Sequence, residues 1–288
     1  MNSAIKIIIG ATAVGKTNWA IEYARANNAE IISADSMQVY RYMDIGTAKP
    51  SITEREEIRH HLIDIVNPED IYSAHDFVEK ANILIADIRQ RNKEPLLVGG
   101  TGLYINAFIR NFNFPGAPKD PNLRNKLKQR AAIEGIESLY NELKEIDEES
   151  TKKISANDLY RIIRALEVYY LTGEKISDFH YKTKSYRPDI DIHHLQKDRS
   201  AIYKGIEDRI DSMIAKGLFE EVQMLIDKGY SQDLPSMQAL GYKEVIDYFL
   251  KKTDKEACIS LIKKRTRNFA KRQLTWFRSF PVKKEIFI

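Results

Sequence analysis

Apolar positions fall into two textures along the chain. Short unbroken runs, Ile7-Ile8-Ile9 and Leu96-Leu97-Val98, read as strands buried on both faces, and each ends in glycine. Ala29 to Ser36 gives a further strand that delivers a carboxylate, Asp35, at its C-terminal end, and His61 to Val66 gives another. Between them the period lengthens. Asn18 to Asn27 predicts a helix, and Ala74 to Arg91 a second, with Phe77, Ala81, Leu84, Ile85 and Ile88 at helical spacing. Strands alternating with helices predict a doubly wound α/β parallel sheet.

Around Asn111 to Pro121 the texture changes to Asn, Phe, Pro and Gly, and from Leu123 to Gly173 the chain is helical and charge-rich without strand signals. This predicts a helical insertion domain over 113–188, set into a core formed by 1–112 and 189–288. Its best helix starts at Asn157-Asp158, an N-cap signal, and ends at Gly173. Leu159, Ile162, Ile163, Leu166 and Tyr170 make its apolar stripe, which predicts Arg161 and Arg164 on the solvent side, available to a partner. Asp189 to Leu195 alternates and returns the chain to the sheet. A long helix from Ala201 to Lys228 follows, broken at Gly217, with Ile206, Ile210, Met213 and Ile214 as its stripe. Arg209 lies on the edge of that stripe, where a guanidinium needs an anionic partner. Asp233 to Lys243 is a loop entering another helix. The last helix, Ala257 to Phe277, places Ile262, Phe269 and Trp276 on one face and Lys264, Arg267, Lys271 and Arg278 on the other.

Composition changes this picture in one respect. The net charge of +4 is unevenly spread. From Lys263 onward there are nine Lys or Arg and one acid, Glu285, a net of +8; the rest holds 36 basic and 40 acidic residues, a net of −4. A basic end on an otherwise acidic chain points to a polyanionic partner, most often nucleic acid. The single cysteine, Cys258, excludes an intrachain disulfide and a cysteine-built zinc site. No apolar run is long enough to span a bilayer and no signal pattern opens the chain, so no membrane partner, a cytoplasmic location and a monomer are expected.

Candidate chemistry is concentrated after the first strand. Gly10-Ala11-Thr12-Ala13-Val14-Gly15-Lys16-Thr17 has the spacing of a phosphate-binding loop that opens a helix. Backbone amides there curl around an anion, Lys16 brings a mobile charge to the outer phosphate, and the Thr17 hydroxyl is placed to hold Mg2+. The loop names a di- or triphosphate without naming a reaction. Asp35 and Thr101 should meet it at the C-terminal edge of the sheet, where open parallel sheets bind ligands.

These stretches, with Asp35 to Tyr40, Asp44 to Pro50, His60 to Asp64, Gly99 to Tyr104, Asn157 to Val168, Gly241 to Glu244, and Lys271-Arg272-Gln273 with Trp276, resemble the tRNA dimethylallyltransferases over nearly the whole chain. The resemblance implies transfer of a dimethylallyl group from its diphosphate to the exocyclic amine of the adenosine 3′ of the anticodon. It implies Asp35 as general base with Thr101 beside it, and Lys16 and Arg209 on the departing diphosphate with residues 10–17. It also implies anticodon stem-loop contacts from Asp35, Ser36, Met37, Gln38, Thr101, Arg124, Tyr160, Arg161, Ile162, Ile163, Arg164, Gln238, Gly241, Lys243, Arg267 and Lys271. Ala11 and Val14 stand where the family most often has proline and serine. Gly205 stands where many relatives carry arginine, and Gln238 where some do. An adenylate prenyltransferase, a small-molecule kinase and an RNA-binding nucleotide switch are the alternatives that the loop alone leaves open.

Overall fold

A computed structural model describes residues 4–116, 120–181 and 185–288, and among these the chain divides into two compact units, 1–109 with 188–288, and 110–187. In the first unit the order is β1 (Ile5–Ile9), α1 (Lys16–Ala26), β2 (Ala29–Ala34), α2 (Ile52–Glu57), β3 (His60–His61), α3 (Ala74–Gln90), β4 (Glu94–Gly99) and α4 (Gly102–Ile109). The second unit holds α5 (Pro121–Glu134), α6 (Ile136–Ile146), α7 (Glu148–Thr151), α8 (Leu159–Thr172) and α9 (Ile176–Tyr181). The chain then re-enters the first unit as β5 (Ile190–Gln196), α10 (Arg199–Ala215), α11 (Leu218–Asp227), α12 (Tyr242–Phe249), α13 (Lys255–Phe277) and β6 (Lys284–Phe287). Ala117 to Lys119, inside the predicted domain boundary, lie outside the described residues.

The strands form one sheet in the order β3-β2-β4-β1-β5-β6, with every described pairing parallel. Parallel strands need apolar cover on both faces, which is why β1 and β4 read as unbroken apolar runs. Ile8, Ile31, Leu96, Val98 and Leu195 pack with Ala20, Ile21 and Ala24 of α1. A second core joins α10 to α13 around Ile206, Ile210, Val222, Tyr242, Ile262 and Ala270, and takes in Ala11 of the loop after β1.

Two sequence expectations change and one holds. His61 to Val66 is not a continuous strand. Leu62 and Asp64 have φ of 62° and 57°, which break an extended ladder, and only an isolated bridge from Val66 to Tyr40 resumes it. The break expected at Gly217 is present: at φ 99° it turns the chain between α10 and α11. The inner face of α13 is Cys258, Ile262, Thr266, Ala270, Gln273 and Phe277, while Phe269 and Trp276 are 36% and 41% exposed. A repeat of seven drifts around a helix of 3.6 residues per turn, so Ile262, Phe269 and Trp276 do not share the buried stripe.

Candidate active site

The topology sets β2, β4 and β1 side by side, so the residues following their C-terminal ends become neighbours. After β1, residues 10–15 form the turn that opens α1, with Gly15 at φ 103°, a conformation that a side chain would strain. Ala11 and Val14 are fully buried, each in a different apolar cluster, so apolar side chains are accommodated there while the loop amides are retained. Thr12, Ala13, Gly15, Lys16 and Thr17 line a cleft of about 580 Å³ together with Asp35 to Gln38, Gly100, Thr101 and Arg209.

Two cations converge in this cleft. Lys16 Nζ donates to the carbonyls of Gly10 at 2.8 Å and Ala11 at 2.9 Å. Arg209, projecting from α10, donates to Thr12 Oγ1 at 2.8 Å, and among the described residues no carboxylate lies within ion-pair distance of it. Burial, then the Arg209 guanidinium, lower the Lys16 pKa to about 7, with Asp35 opposing. Burial also lowers that of Arg209, again against the pull of Asp35. Two desolvated cations lining one cleft at the N-terminus of a helix form a site that favours an anion.

Across the cleft, Asp35 Oδ1 accepts from the amides of Met37 at 2.8 Å and Gln38 at 3.3 Å, fixing the turn after β2. No described residue hydrogen-bonds Oδ2. Thr101 N donates to Ala34 O at 3.2 Å, and its hydroxyl accepts from Ser36 N at 3.0 Å, so the ends of β2 and β4 are tied together. Met37 is half-buried against the helical core, and Gln38 Nε2 donates to the carbonyls of Thr47 and Ala48 at 3.3 Å each. Ile210, Met213, Leu218, Leu240, Ile262 and Phe269 give the same cleft an apolar lining.

Gln273 is a site residue that the sequence reading missed. Its Oε1 accepts from Thr12 N at 2.8 Å and its Nε2 donates to Gly100 O at 2.9 Å, clamping the loops after β1 and β4 to α13. A Cβ on Gly100 would stand 2.3 Å from that Nε2, so a side chain there would displace the Gln273 amide from the clamp. A polar side chain within the buried stripe of α13 is the signal that finds it.

The remaining predicted residues separate. Gly241, at φ 95°, lines the cleft. Gln238 is exposed and donates to Gln232 O at 2.7 Å, and Lys243 is half-buried outside the cleft lining. On α13, Arg267 pairs with Glu207 at 2.9 Å and Lys263 with Asp211 at 2.6 Å, whereas Lys271 and Arg272 are exposed and, among the described residues, have no carboxylate in ion-pair range. The predicted basic ridge is therefore partly neutralised along Lys263 to Arg267.

Within the helical unit, Tyr160 is 71% exposed and Arg161 is exposed, but Ile162 and Ile163 are core residues with side chains that do not reach the surface. Tyr170, expected in the apolar stripe, is instead 43% exposed. Arg164 is not a free surface cation. Its NH1 donates to Glu167 Oε2 at 2.6 Å, and Arg124 grips the same carboxylate through two bonds of 2.7 Å. Burial pushes the Glu167 carboxyl up, yet the two arginines and the Asp120 amide overrule it and hold its pKa at about 2.

A family model described as IPP transferase matches residues 38–280. A tRNA dimethylallyltransferase from Halothermothrix orenii is 47% identical over 96% of this chain and 85% of its own length. The crystal structure of a full-length tRNA isopentenylpyrophosphate transferase from Bacillus halodurans aligns with a TM-score of 0.72 and 39% identity, covering 99% of this chain and 90% of that one. A eukaryotic dimethylallyltransferase solved acting on tRNA aligns with a TM-score of 0.82 at 30% identity, covering 96% and 70% respectively. No helix among the described residues is long and apolar enough to cross a membrane.

Proposed function

The chain belongs to the IPP transferase family, and from that membership we propose that it transfers a dimethylallyl group from dimethylallyl diphosphate to the exocyclic amine of the adenosine 3′ of the anticodon in tRNA. The observation that carries this reading is a single cleft with two characters: Lys16 and Arg209 both line it, Arg209 bonded to Thr12 of the phosphate loop, and apolar side chains from Ile210 to Phe269 line the same space. Such a cleft suits a ligand with a diphosphate head and a short hydrocarbon tail.

In the proposed reaction the adenine N6 attacks C1 of the donor, the C1–O bond breaks, and diphosphate leaves with the bonding pair. Lys16, Arg209 and the loop amides stabilise the charge that develops on the leaving oxygens. Asp35, through Oδ2, accepts the proton that N6 loses, and Thr101 holds the Ser36 turn beside it. Donors near Thr17 are hard oxygens, Asp35 and Thr101 among them, and these fit Mg2+. Thr17 would hold the ion, which when bound adds positive charge beside the diphosphate. An adenine stacked within the anticodon loop does not reach this cleft, so it must be extruded. For the helical unit we propose RNA contact through the exposed Tyr160 and Arg161, with Arg124 and Arg164 shaping that surface through Glu167.

The direct test is incubation with labelled dimethylallyl diphosphate and either an anticodon stem-loop or AMP, followed by mass spectrometry of the adenosine. Label in the stem-loop is expected, and label in AMP alone would overturn the reading.

Two further outcomes follow from the site. A Lys16 poised at about 7 regains its proton when a diphosphate arrives, so donor binding at pH 8 takes up protons. Calorimetry in two buffers of different ionisation enthalpy measures the uptake. Affinity falls as pH rises above about 7, by at most about tenfold per unit, and Lys16→Arg abolishes the uptake. On α13, Lys271→Ala lowers the slope of log affinity for RNA against log salt by about 0.7 to 0.9, the release from one phosphate contact. Arg267→Ala lowers it less, because Glu207 already neutralises that guanidinium.

A further inference from the structure

Besides the phosphate loop, two segments border the cleft, one contributing Gly46 to Lys49 and the other Ala239 to Tyr242. A single carboxylate joins them. Glu221, on α11 and 8% exposed, accepts through Oε2 from the amides of Asp44 at 2.8 Å and Ile45 at 2.7 Å. Through Oε1 it accepts from Gly46 N at 3.0 Å and from the Tyr242 hydroxyl at 2.6 Å. Among the described residues no cation lies within ion-pair distance of it. A buried carboxylate is costly unless its lone pairs are filled, and here four neutral donors fill them. The fit between the segments is close: a Cβ on Gly46 would stand 2.4 Å from the Tyr242 ring.

What this joint holds leads to Gln38 and, through it, to Asp35. Immediately after the three amides gripped by Glu221 come the carbonyls of Thr47 and Ala48, which receive both contacts of Gln38 Nε2. Gln38 Oε1 accepts from Ser33 Oγ at 3.0 Å, and its own amide donates to Asp35 Oδ1. The Gln38 amide plane is therefore fixed from both ends, and the end set by Thr47 and Ala48 depends on the turn that Glu221 anchors. Among the described residues, Lys16, Arg209 and Gln273 take no hydrogen bond from this joint.

We propose that Glu221 is a positioning residue for the acceptor adenine: it sets the orientation of Gln38 through the Asp44–Ala48 turn and leaves donor binding alone. The proposal rests on the prenyl-transfer reading above. Glu221→Gln keeps the shape of the side chain but turns one acceptor oxygen into an NH2 group facing backbone N–H donors, which displaces the turn. The expected result is a rise of about tenfold in KM for the stem-loop, with KM for dimethylallyl diphosphate changed by less than about twofold. In a Gln38→Ala background the same substitution changes the stem-loop KM by less than about twofold, because the group it positions is gone.

A purely structural role gives a different pattern, with donor and acceptor KM rising together or the Glu221→Gln effect persisting undiminished beside Gln38→Ala; either result overturns the proposal, as does an unchanged stem-loop KM. Should Glu221→Gln fail to fold, Tyr242→Phe, which removes one of the four donors, runs the same cycle with a smaller expected shift of about threefold. A wild-type enzyme that transfers no prenyl group would sink the functional reading itself. Transfer with an additive cycle would sink only the role of Glu221.

Discussion

Asp35→Asn slows prenyl transfer by about a thousandfold in single-turnover measurements, the range expected for loss of a general base. Asparagine is the informative replacement. Its amide oxygen still accepts from Met37 N and Gln38 N, so the turn after β2 keeps its shape while the proton acceptor is lost. RNA affinity, measured by filter binding in parallel, is expected to stay within about threefold of the unmodified enzyme, since only one uncontacted oxygen changes character. A variant that retains a tenth or more of the wild-type rate would show that N6 loses its proton elsewhere, to solvent or to the departing diphosphate.

Arg209→Ala is expected to cost between about a hundredfold and a thousandfold in kcat, the range found when one preorganised donor to a developing oxyanion is removed. Among the described residues no carboxylate neutralises the guanidinium and a single hydroxyl, that of Thr12, holds it, so its charge is available to a ligand. Arg209→Lys should recover only part of the loss, because an ammonium cannot hold Thr12 and reach a phosphate oxygen in one planar arrangement. Inorganic diphosphate offers an independent readout. Its affinity should fall in both variants, more steeply for alanine, and undiminished binding would remove Arg209 from the anion site.

Which parts of this site are visible in the chain itself follows from the range of the interactions. Gly10 to Thr17 was legible because a strand, a fixed run of residues and a helix start are local, and local spacing determines where the amides point. Asp35 and Thr101 were legible one step further on, since a parallel sheet carries the ends of β2 and β4 to the same edge. Arg209 was legible by its place beside an apolar stripe, where an anionic partner is expected, and the partner it has within the chain is the Thr12 hydroxyl.

What escaped depends on contacts between distant elements. Gln273 meets Thr12 across 261 positions, and no window of sequence contains both. Glu167 makes Arg164 an interior ion-pair partner, but the bond that completes this arrangement comes from Arg124 on another helix. The strand β6, Lys284–Phe287, is four residues long, too short for its alternation to stand out, and it exists because β5 offers it a parallel edge. The expected strand at His61 failed for a different reason. Its apolar pattern was adequate, but Asp64 is turned to receive Lys49 and Arg55, and the backbone bends to present it.

The clamp between Gln273 and the loop after β1 bears on how the enzyme comes into being. Ribosomes deliver the phosphate loop first and the glutamine that braces it about 260 residues later, so throughout most of translation Thr12 and Gly100 have no bridge between them. A nascent chain tethered short of residue 273 should accordingly leave the Thr12 amide open to exchange with solvent, and acquire diphosphate-binding capacity only once its final long helix has emerged and docked.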